Sequence, residues 1–574
     1  MLSSVIGLIV LPVTTAMALS AQIGLPSQPR PQSPSQTPAP PGTSTLSGHV
    51  FAADTGQPLR KAQVRIFASE IRENRMATTS ESGLYEFKEV RAGRYTISAS
   101  KGSYVSVSYG QQRPTDAPKP LDILDHQTVE RVDLMLPRGA IITGRVVDEF
   151  GEPASDIQVA MERYQVIQGQ RRLFASGRSA MTNDIGEFRL FGIPPGQYYL
   201  SATWRNTNGF NPNPNPNPNL NPSPSERTAY APLYFPGTMN AAEAQRITVS
   251  AGQQIDDLVM VLKPIKASRV SGTAIGSDGK PLTPAMIMVM QSSIGFGSMA
   301  GTSQVRPDGT FTVSGLAPGS YTLRAQRMGP LTDGPETATA TITVTGDDIA
   351  DVQLVAAKPS TLTGRIVVDP AAASSLPRSL MITAFPASVT GPPAPPPPPA
   401  RMTDDFTFQI KSTPGVMRLA LGGGFGAPQT GWFIRSVRLN GVDVTDAGIE
   451  FKPNEDISGV EVELTNKITT VSGTVKTSRG EQSKEYTAIV FAQDREKWIG
   501  NPRYQSAGRP DQDGRFKITG LPPGEYYIVA VDRLEQGQSG DPDFLERVRS
   551  MAMSLSLREG ETRNVDLPLI ANTM

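Results

Sequence analysis

The chain has 574 residues, including 53 glycines, 51 prolines and no cysteine, and charged residues make up 19% of it. The formal net charge is zero at pH 7, so there is no electrostatic case for binding nucleic acid or an anionic membrane. The lack of cysteine excludes disulfides, thiolate catalysis and cysteine-ligated zinc. Because the length exceeds what one hydrophobic core supports, several domains are expected.

The N-terminal segment has two compositions in succession. Residues 1–20 form an apolar run that ends in small residues, which is typical of a secretory signal peptide, although no Lys or Arg precedes the run. A membrane anchor is the alternative, and it is disfavoured because a spanning helix needs ~20 apolar residues. Residues 21–44 are rich in Pro, Ser, Gln and Thr and predict an extended tether. We therefore expect an extracytoplasmic protein, with no membrane span beyond the signal sequence.

A short hairpin pattern organises the rest of the chain. Its clearest copy begins at Gly514, continues through Phe516 and Ile518, and ends at Gly524 and Tyr526. The glycines and the preceding prolines are turn signals, and the alternating apolar residues indicate strands with one buried face. Three further copies keep the ten-residue separation between glycines: Gly83 and Gly93, Gly186 and Gly196, Gly309 and Gly319. In a fifth, degenerate copy Asp405 stands in the place of the first glycine, ten residues before Gly415.

Each repeat opens with a strand that contains a glycine after a serine or threonine. These glycines are Gly48, Gly144, Gly272, Gly364 and Gly473, and they lie 92 to 128 residues apart. Such long spacings indicate whole domains in series and not the units of a solenoid. Period-2 alternation between Gly-Pro turns predicts six or seven short strands in each domain, which is typical of a β-sandwich.

The second repeat carries the fullest version of the pattern, with Gly-Arg-Val-Val-Asp-Glu-Phe-Gly-Glu-Pro at 144–153, then Asp184-x-Gly186-x-Phe188 and Pro195-Gly196-x-Tyr198. This sequence resembles the carboxypeptidase regulatory-like domain. The resemblance extends over nearly all of residues 46–570, and it is best in the second and fifth repeats and weakest in the fourth. It implies a transthyretin-like, Greek-key β-sandwich that is also grouped with carbohydrate-binding-like folds. It implies no activity, because in peptidases with this domain the chemistry belongs to a separate zinc domain.

Together these features predict an all-β chain, a tandem array of about five Greek-key sandwich modules of the immunoglobulin or transthyretin type. The predicted modules are one (45–138), two (139–265, with an Asn-Pro loop insertion), three (266–358), four (359–467, with a Pro-rich loop) and five (468–574, with a short helix). The helix is predicted because Asp541 can cap it and Pro542 suits its first turn. Its apolar face is predicted to contain Phe544, Leu545, Val548 and Met551.

Candidate catalytic residues are scarce. The only histidines, His49 and His126, fit no His-x-x-Glu motif, so we interpret both as surface residues of module one. Asp511-Gln512-Asp513-Gly514 resembles the start of a calcium loop but lacks the remaining ligands, which favours a plain turn. Two catalytic carboxylates could be drawn from the 54 acidic residues, but the repeats leave no separate catalytic domain. We expect no enzyme activity, no cofactor and no metal.

Four aromatic residues are the candidate ligand-binding residues: Trp498 and Tyr504 in a charged loop of module five, and Tyr230 and Tyr234 beside the Asn-Pro loop. Exposed aromatic faces stack on the apolar surfaces of sugars at low entropic cost. The alternative is that each ring covers the edge of a sandwich. For Trp498 this alternative is favoured, with the ring folded over the Phe544 helix. Trp204 continues an inward-facing series and is expected to cap a core.

The sequence leaves three functions open. The first is a noncatalytic exported binding protein that recognises carbohydrate or cell-envelope components, and it depends on the resemblance and the candidate aromatic residues. The alternative is a structural spacer or scaffold that mediates protein–protein interaction at the cell envelope. No sequence feature favours the third, an enzyme. The expected partners are therefore a polysaccharide or a cell-envelope protein, and not nucleic acid.

Overall fold

The computed structural model describes residues 41–68, 71, 73–114, 116–167, 170–204, 228–291, 298–327, 336–387, 397–422, 431–499, 502–535 and 537–572. The segment Gly42–Met574 is one compact unit. The predicted signal peptide, nearly all of the tether, the Asn-Pro insertion and most of the Pro-rich loop lie outside the described residues. Within them, each of the five predicted modules has its own cluster of buried apolar side chains. The exact boundaries between modules stay predictions.

Module one shows the plan that the other modules follow. Its strands are β1 (Ser44–Ala52), β2 (Gln63–Ala68), β3 (Glu73–Thr78), β4 (Leu84–Val90), β5 (Gly93–Ser100), β6 (Val107–Ser108), β7 (Leu121–Ile123), β8 (Thr128–Val129) and β9 (Leu134–Leu136). One sheet has the order β4-β1-β8, with β9 also on β1, and the second has the order β3-β2-β5-β6, with β7 also on β5. The fourth strand lies beside the first and the fifth beside the second, which is a Greek-key connectivity.

Modules two and three repeat this order. Module two contains β10 (Ala140–Val147), β11 (Ile157–Ile167), β12 (Gln170–Met181), β13 (Glu187–Ile193), β14 (Gly196–Trp204), β15 (Thr228–Tyr230), β16 (Leu233–Tyr234), β17 (Ile247–Val249), β18 (Gln254–Val261) and β19 (Pro264–Lys266). Module three contains β20 (Ser268–Ile275), β21 (Ala285–Gln291), β22 (Ser298–Gln304), β23 (Thr310–Leu316), β24 (Gly319–Arg327), β25 (Thr337–Val344) and β26 (Ile349–Val355). The sheets are β13-β10-β18 with β12-β11-β14-β16, and β23-β20-β26 with β22-β21-β24-β25.

Modules four and five extend the plan. Module four contains β27 (Ser360–Val368), β28 (Met381–Pro386), β29 (Ala400–Arg401), β30 (Thr407–Ser412), β31 (Gly415–Leu421), β32 (Phe433–Leu439), β33 (Val442–Asp443), β34 (Ile449–Phe451) and β35 (Ile457–Thr465). Module five contains β36 (Thr470–Lys476), β37 (Thr487–Ala492), β38 (Gln505–Gly508), β39 (Arg515–Thr519), β40 (Gly524–Val531), helix α1 (Pro542–Arg549), β41 (Met553–Leu557) and β42 (Thr562–Ile570). One-turn 3₁₀ helices occupy Ala241–Glu243, Ala373–Ser375, Arg495–Trp498, Pro502–Tyr504 and Gln538–Gly540. The predicted all-β tandem array of sandwiches is therefore confirmed.

The tyrosine of the repeated hairpin fixes the second of its two turns. In module five the Tyr526 hydroxyl donates to the carbonyl of Pro522 at 2.7 Å, and in module two Tyr198 donates to Pro194 at 2.9 Å. Modules one and three make the same bond to the residue four positions earlier, at 2.9 and 2.8 Å. This bond is a tyrosine corner, which ties a strand to the turn that precedes it. It explains why the tyrosine keeps its place after the glycine.

The first turn of the hairpin needs a left-handed residue. Gly514 has a φ of 77°, and the corresponding glycines of modules one to three have φ values from 72° to 85°. In module four the left-handed residue is Phe406, with a φ of 60°, and Phe408 pairs with Gly364 just as Phe516 pairs with Gly473. The residue in the place of glycine is thus Phe406, and the sequence alignment on Asp405 was wrong by one position.

The glycine of each opening strand is required by a close parallel neighbour. A Cβ atom on Gly473 would lie 1.7 Å from the Val565 carbonyl oxygen, and one on Gly272 would lie 1.9 Å from that of Val352. Any side chain there would push the first strand away from the last strand of the module. The recurring Ser/Thr-Gly phrase therefore records a backbone contact between the two ends of each module.

Helix α1 begins as predicted and ends earlier than predicted. The Asp541 carboxylate accepts a hydrogen bond from the Asp543 amide at 3.0 Å, and Phe544 and Leu545 are fully buried. The helix ends at Arg549, so Met551 lies beyond it and is 49% exposed. The prediction that Met551 shares the buried face was wrong, because the helix has only two turns. Within the described residues, no helix has the length and apolar character needed to cross a membrane.

Module five contacts module one, although their contact residues are nearly 400 positions apart in the chain. Lys119 of module one is only 9% exposed, and its ammonium group donates to the Lys484 carbonyl at 2.6 Å and to the Glu485 carboxylate. Arg509 binds the other Glu485 oxygen at 3.1 Å and the Gly110 carbonyl at 3.2 Å. Glu485 thus lies between two cations, one from each module. We call this group of residues the clasp.

Further contacts extend the surface that module five shares with other modules. Beside the clasp, the side-chain amide of Gln512 donates to the Asp122 carbonyl at 3.2 Å and accepts from the Asp122 amide at 3.4 Å. Gly537 lies against the backbone of Val166 in module two, where an added Cβ would be 3.3 Å from the carbonyl oxygen. Module five therefore contacts two modules that do not precede it directly in the chain.

Candidate functional site: the cleft between modules four and five

The cleft between modules four and five is formed on one side by an additional strand of module four. Strand β32 pairs with β35 and so widens the first sheet, and the hairpin partner β33 forms the edge of that sheet. Trp432 and Val437 are buried in the core of module four, which anchors the strand. A register shift between Ile434 and Ser436 places Arg435 in a bulge. As a result Arg435 and Arg438 both lie on the exposed side.

The other wall of the cleft belongs to module five. It consists of Arg503 and Tyr504, at the end of a one-turn helix, and of the Pro522-Pro523 turn. The Tyr526 hydroxyl donates a hydrogen bond to the carbonyl of Pro522, and this bond fixes the position of the turn. The cleft has a volume of about 580 Å³, which falls within the usual range for small-molecule sites.

Tyr504 is the one candidate aromatic residue that lines the cleft. Its hydroxyl donates to Asp446 of module four at 2.7 Å, and its ring packs against the core of module five. Burial and the hydrogen bond to Asp446 raise the pKa of Tyr504 to about 12. The Lys497 ammonium and the Arg503 guanidinium lie 4.7 and 5.4 Å from the centre of the ring. Tyr504 therefore joins the two modules and is not an open stacking surface.

The charges along the cleft lie in pairs. Arg503 lies 3.7 Å from Asp446, and Arg435 lies 3.0 Å from Glu463. Arg438 is the cross-strand neighbour of Asp443. Hydrogen bonds from Thr445, followed by the positive charges of Arg438 and Arg503, hold the pKa of Asp443 below its usual range. The lining thus carries three guanidinium groups and three carboxylates.

Trp498 does not reach the cleft. It is 2% exposed, its Nε1 donates to the Ala492 carbonyl at 2.7 Å, and its ring packs edge-on against Phe491 at 5.5 Å between centroids. The Asp494 side chain caps the turn by accepting from the Glu496 amide at 3.1 Å. The ring belongs to the apolar cluster that contains the α1 side chains, so the structure has the covering arrangement that the sequence favoured.

The two candidate ligand-binding residues of module two, Tyr230 and Tyr234, differ in burial and in their contacts. Tyr234 is 4% exposed and packs with Leu173 and Tyr199. Burial, followed by the charge of the nearby Glu162, raises the pKa of Tyr234. Tyr230 is partly buried, packs edge-on against Trp204 at 6.1 Å and donates to Glu149 at 3.2 Å. Tyr234 is therefore covered and Tyr230 is held by Trp204 and Glu149, and their role in ligand binding stays a prediction.

Sequence reasoning missed Arg438, Asp446 and Arg503. Arg435 and Arg438 are three residues apart, so in a regular strand they would lie on opposite faces, and only the bulge at Arg435 brings both to the exposed side. No feature of the sequence indicates this bulge, and scattered charges in a strand are ordinarily read as solvated positions. The pairing across the module boundary could only be found in the structure.

One family of known proteins matches part of the chain. Residues 45–124 match the family model of the carboxypeptidase regulatory-like domain. The match confirms the predicted family resemblance in module one. Among curated proteins, none matches the chain.

Solved structures similar to parts of the chain include bacterial surface proteins. A streptococcal ancillary pilin has 16% identity and a TM-score of 0.18, with 55% of this chain and 98% of that chain covered. The TIE protein of Bacillus anthracis has 12% identity and a TM-score of 0.14, with 73% of each chain covered. Two B repeats of the collagen-binding protein of Staphylococcus aureus have 12% identity and a TM-score of 0.12, with 74% and 100% covered. These TM-scores are too low to support a conclusion about this chain.

Proposed function

We propose that this chain is a noncatalytic, extracytoplasmic scaffold that holds five β-sandwiches in a fixed arrangement and presents them to partners at the cell envelope. The observation that carries the proposal is the clasp, in which Lys119 and Arg509 share the carboxylate of Glu485. A protein that served only as an extended spacer would gain nothing from a contact between its first and last modules.

The physical chemistry of the clasp supports a lasting contact. Lys119 and the Arg509 side chain are each about nine-tenths buried, so both would be costly to leave without an anion. Glu485 pairs with both, and the carbonyls of Gly110 and Lys484 accept further hydrogen bonds from the same two cations, while the Arg509 Nε has no partner among the described residues. Charge-assisted bonds of this kind are roughly twice as strong as neutral ones.

Carbohydrate recognition through the four candidate aromatic residues remains a prediction. Three of the rings are committed to packing or to hydrogen bonds within module two or module five, and Tyr504 is committed to Asp446. Stacking on a sugar needs an uncovered ring face. The geometry therefore supports the scaffold alternative better than an aromatic sugar-binding platform.

The absence of cysteine from the sequence makes a direct test possible. We expect Asp122→Cys combined with Gln512→Cys to be joined by a short bismaleimide in the full chain, because these two residues touch across modules one and five. The matched control combines Asp122→Cys with Asp308→Cys, in an exposed turn of module three. Absence of the first crosslink, or equal crosslinking of both pairs, would contradict a fixed arrangement.

Export and partner binding need a second experiment. We expect mass spectrometry of the protein from its native host to show cleavage near Ser20. We also expect chemical crosslinking on intact cells to attach a defined envelope protein, with attachment reduced in Glu485→Arg, which reverses the charge at the centre of the clasp. Intact Met1 on cytoplasmic protein, or an envelope partner captured equally by Glu485→Arg, would refute the proposal.

A further inference from the structure

The cleft between modules four and five combines features that no structural role of the interface requires. A closely packed interface leaves little space between its walls, whereas this interface leaves an open groove of about 580 Å³. Tyr504 and Arg503 hold the modules together through Asp446. The Arg503 Nη2 also donates to the Ile434 carbonyl at 3.2 Å, which leaves the other N–H groups of this guanidinium facing the cleft residues. The lining also includes Arg438 and Asp443, which lie at the outer edge of the module four sheet.

The charge balance of the lining selects against ionic ligands. Each guanidinium has a carboxylate beside it, so an anion would be attracted by one and repelled by the other, and the same holds for a cation. Arg438, Arg503 and Asp443 can each make hydrogen bonds beyond these pairs, because a guanidinium has five N–H donors and a carboxylate accepts about four hydrogen bonds. The cleft therefore offers donors and acceptors side by side with little net charge.

A hydroxyl group is the ligand group that fits a neighbouring donor and acceptor best, because one oxygen atom both donates and accepts. The Pro522-Pro523 turn adds a flat apolar surface at the cleft edge, and the corner bond of Tyr526 fixes that turn. Apolar C–H faces next to hydroxyl groups are characteristic of sugars. A peptide that adds as a strand would need a longer open edge to pair with its backbone than the two residues of β33.

We infer that the cleft between modules four and five binds a neutral polyhydroxyl ligand of the oligosaccharide class. Arg438 and Arg503 donate to its hydroxyl oxygens, and Asp443 accepts from its hydroxyl groups. This site does not depend on the scaffold proposal, since no residue of the clasp lines the cleft. It also differs from an aromatic platform, because hydrogen bonds and not ring stacking carry the recognition.

The test measures binding of the full exported chain to neutral oligosaccharides of glucose, galactose, mannose and N-acetylglucosamine, with oligogalacturonate as the anionic set and chitosan oligomers as the cationic set. We expect members of the neutral set to bind and the charged sets to bind weakly. Arg438→Met should weaken neutral binding roughly tenfold or more, because it removes a charged donor. Asp443→Asn should weaken it as well, by removing an acceptor.

The matched control is Arg378→Met, which changes an exposed arginine of the same module that pairs with Asp404 at 2.8 Å away from the cleft. It should bind as the wild type does. Thermal unfolding of all variants checks that module four stays folded, and Asp443→Asn keeps the test valid if Arg438→Met does not fold. The inference is overturned if no neutral oligosaccharide binds, if a charged set or a peptide binds instead, or if both cleft variants bind normally.

Discussion

Modules two and five both cover the outer face of the strands that pair with their second strand, β11 in module two and β37 in module five, and they do so with opposite chemistry. In module five, Trp498 and the side chains of α1 cover Ile489 and Phe491 with an apolar cluster in which the indole N–H is satisfied. In module two, the segment with Tyr234 covers a face that includes Glu162, which is 7% exposed. The comparison shows that the same sandwich can gain a second core or a buried carboxyl group at the same place.

The difference is visible in the hydrogen bonds of the two covers. The Trp498 indole finds the Ala492 carbonyl, so the ring is buried without loss of a bond. In module two the Ser201 hydroxyl donates to one oxygen of Glu162 at 2.6 Å, while the other oxygen has no partner among the described residues. A buried polar atom without a partner costs free energy. On α1 the Glu546 Oε2 also makes no hydrogen bond among the described residues, but it lies 3.9 Å from Arg495 and its side chain is 35% exposed. We therefore expect the module five cover to be the more stable of the two.

The largest expected effect is that of Trp498→Ala. Removing a fully buried indole leaves a cavity in the second core, so module five should lose about 3–5 kcal/mol of unfolding free energy. Chemical denaturation of the full chain, followed by a probe in module five, measures the loss. Trp498→Phe is the matched control, because it keeps a ring and removes the bond to Ala492. An unfolding transition unchanged in Trp498→Ala would mean that the ring is not a cover.

How much of this cover could be predicted from the sequence depends on the range of the contacts involved. The α1 cap at Asp541 and the apolar side chains Phe544 and Leu545 are local patterns, so the helix and its burial were predictable. The tendency of Trp498 to fold onto that helix followed from the same apolar surface. The end of the helix was not predictable, since Arg549 and Ser550 carry no strong stop signal.

The contacts between modules were out of reach of the sequence for a physical reason. Lys119 and Glu485 are ordinary charged residues, and only a fold that brings modules one and five together makes them partners. The same holds for Tyr504 and Asp446, whose contact crosses from module five to module four. The repeated pattern reflects contacts within each module. A single contact between distant modules does not recur along the sequence, so no repeated pattern reveals it.

The second expected effect concerns Glu162 and pH. Burial raises the pKa of Glu162 above its ordinary value of 4.5. The native state therefore keeps this proton at pH values where the unfolded chain has released it, so stability falls as pH rises from 4.5 through the native pKa. We expect module two of the wild type to lose on the order of 1–3 kcal/mol across this range, the cost of a buried unpaired carboxylate.

The matched variant Glu162→Gln sharpens this expectation, because it keeps an oxygen to accept from Ser201 and does not titrate. The variant should lack the decrease in stability that the wild type shows above pH 4.5. Thermal unfolding of both proteins between acid and neutral pH measures the difference. Parallel pH profiles for the two proteins would show that the carboxyl group is hydrated in solution and that the two covers differ less than their hydrogen bonds indicate.

The smallest expected effect concerns the tyrosine corners, and it tests whether modules two and five differ outside their covers. The tyrosine corners of modules two and five have the same geometry, with hydroxyl-to-carbonyl distances of 2.9 and 2.7 Å. Tyr198→Phe and Tyr526→Phe each remove one hydrogen bond while keeping the ring, so each should cost about 1 kcal/mol in its own module. Tyr527→Phe is the control, since no hydrogen bond from that hydroxyl is seen within the described residues and its ring lies on the opposite face of β40. Denaturation of the three variants should give equal losses for the two corner residues and almost none for the control. Unequal corner losses would show that the cover of module five also strengthens the hairpin beneath it, and the two modules would then have to be compared as whole sandwiches.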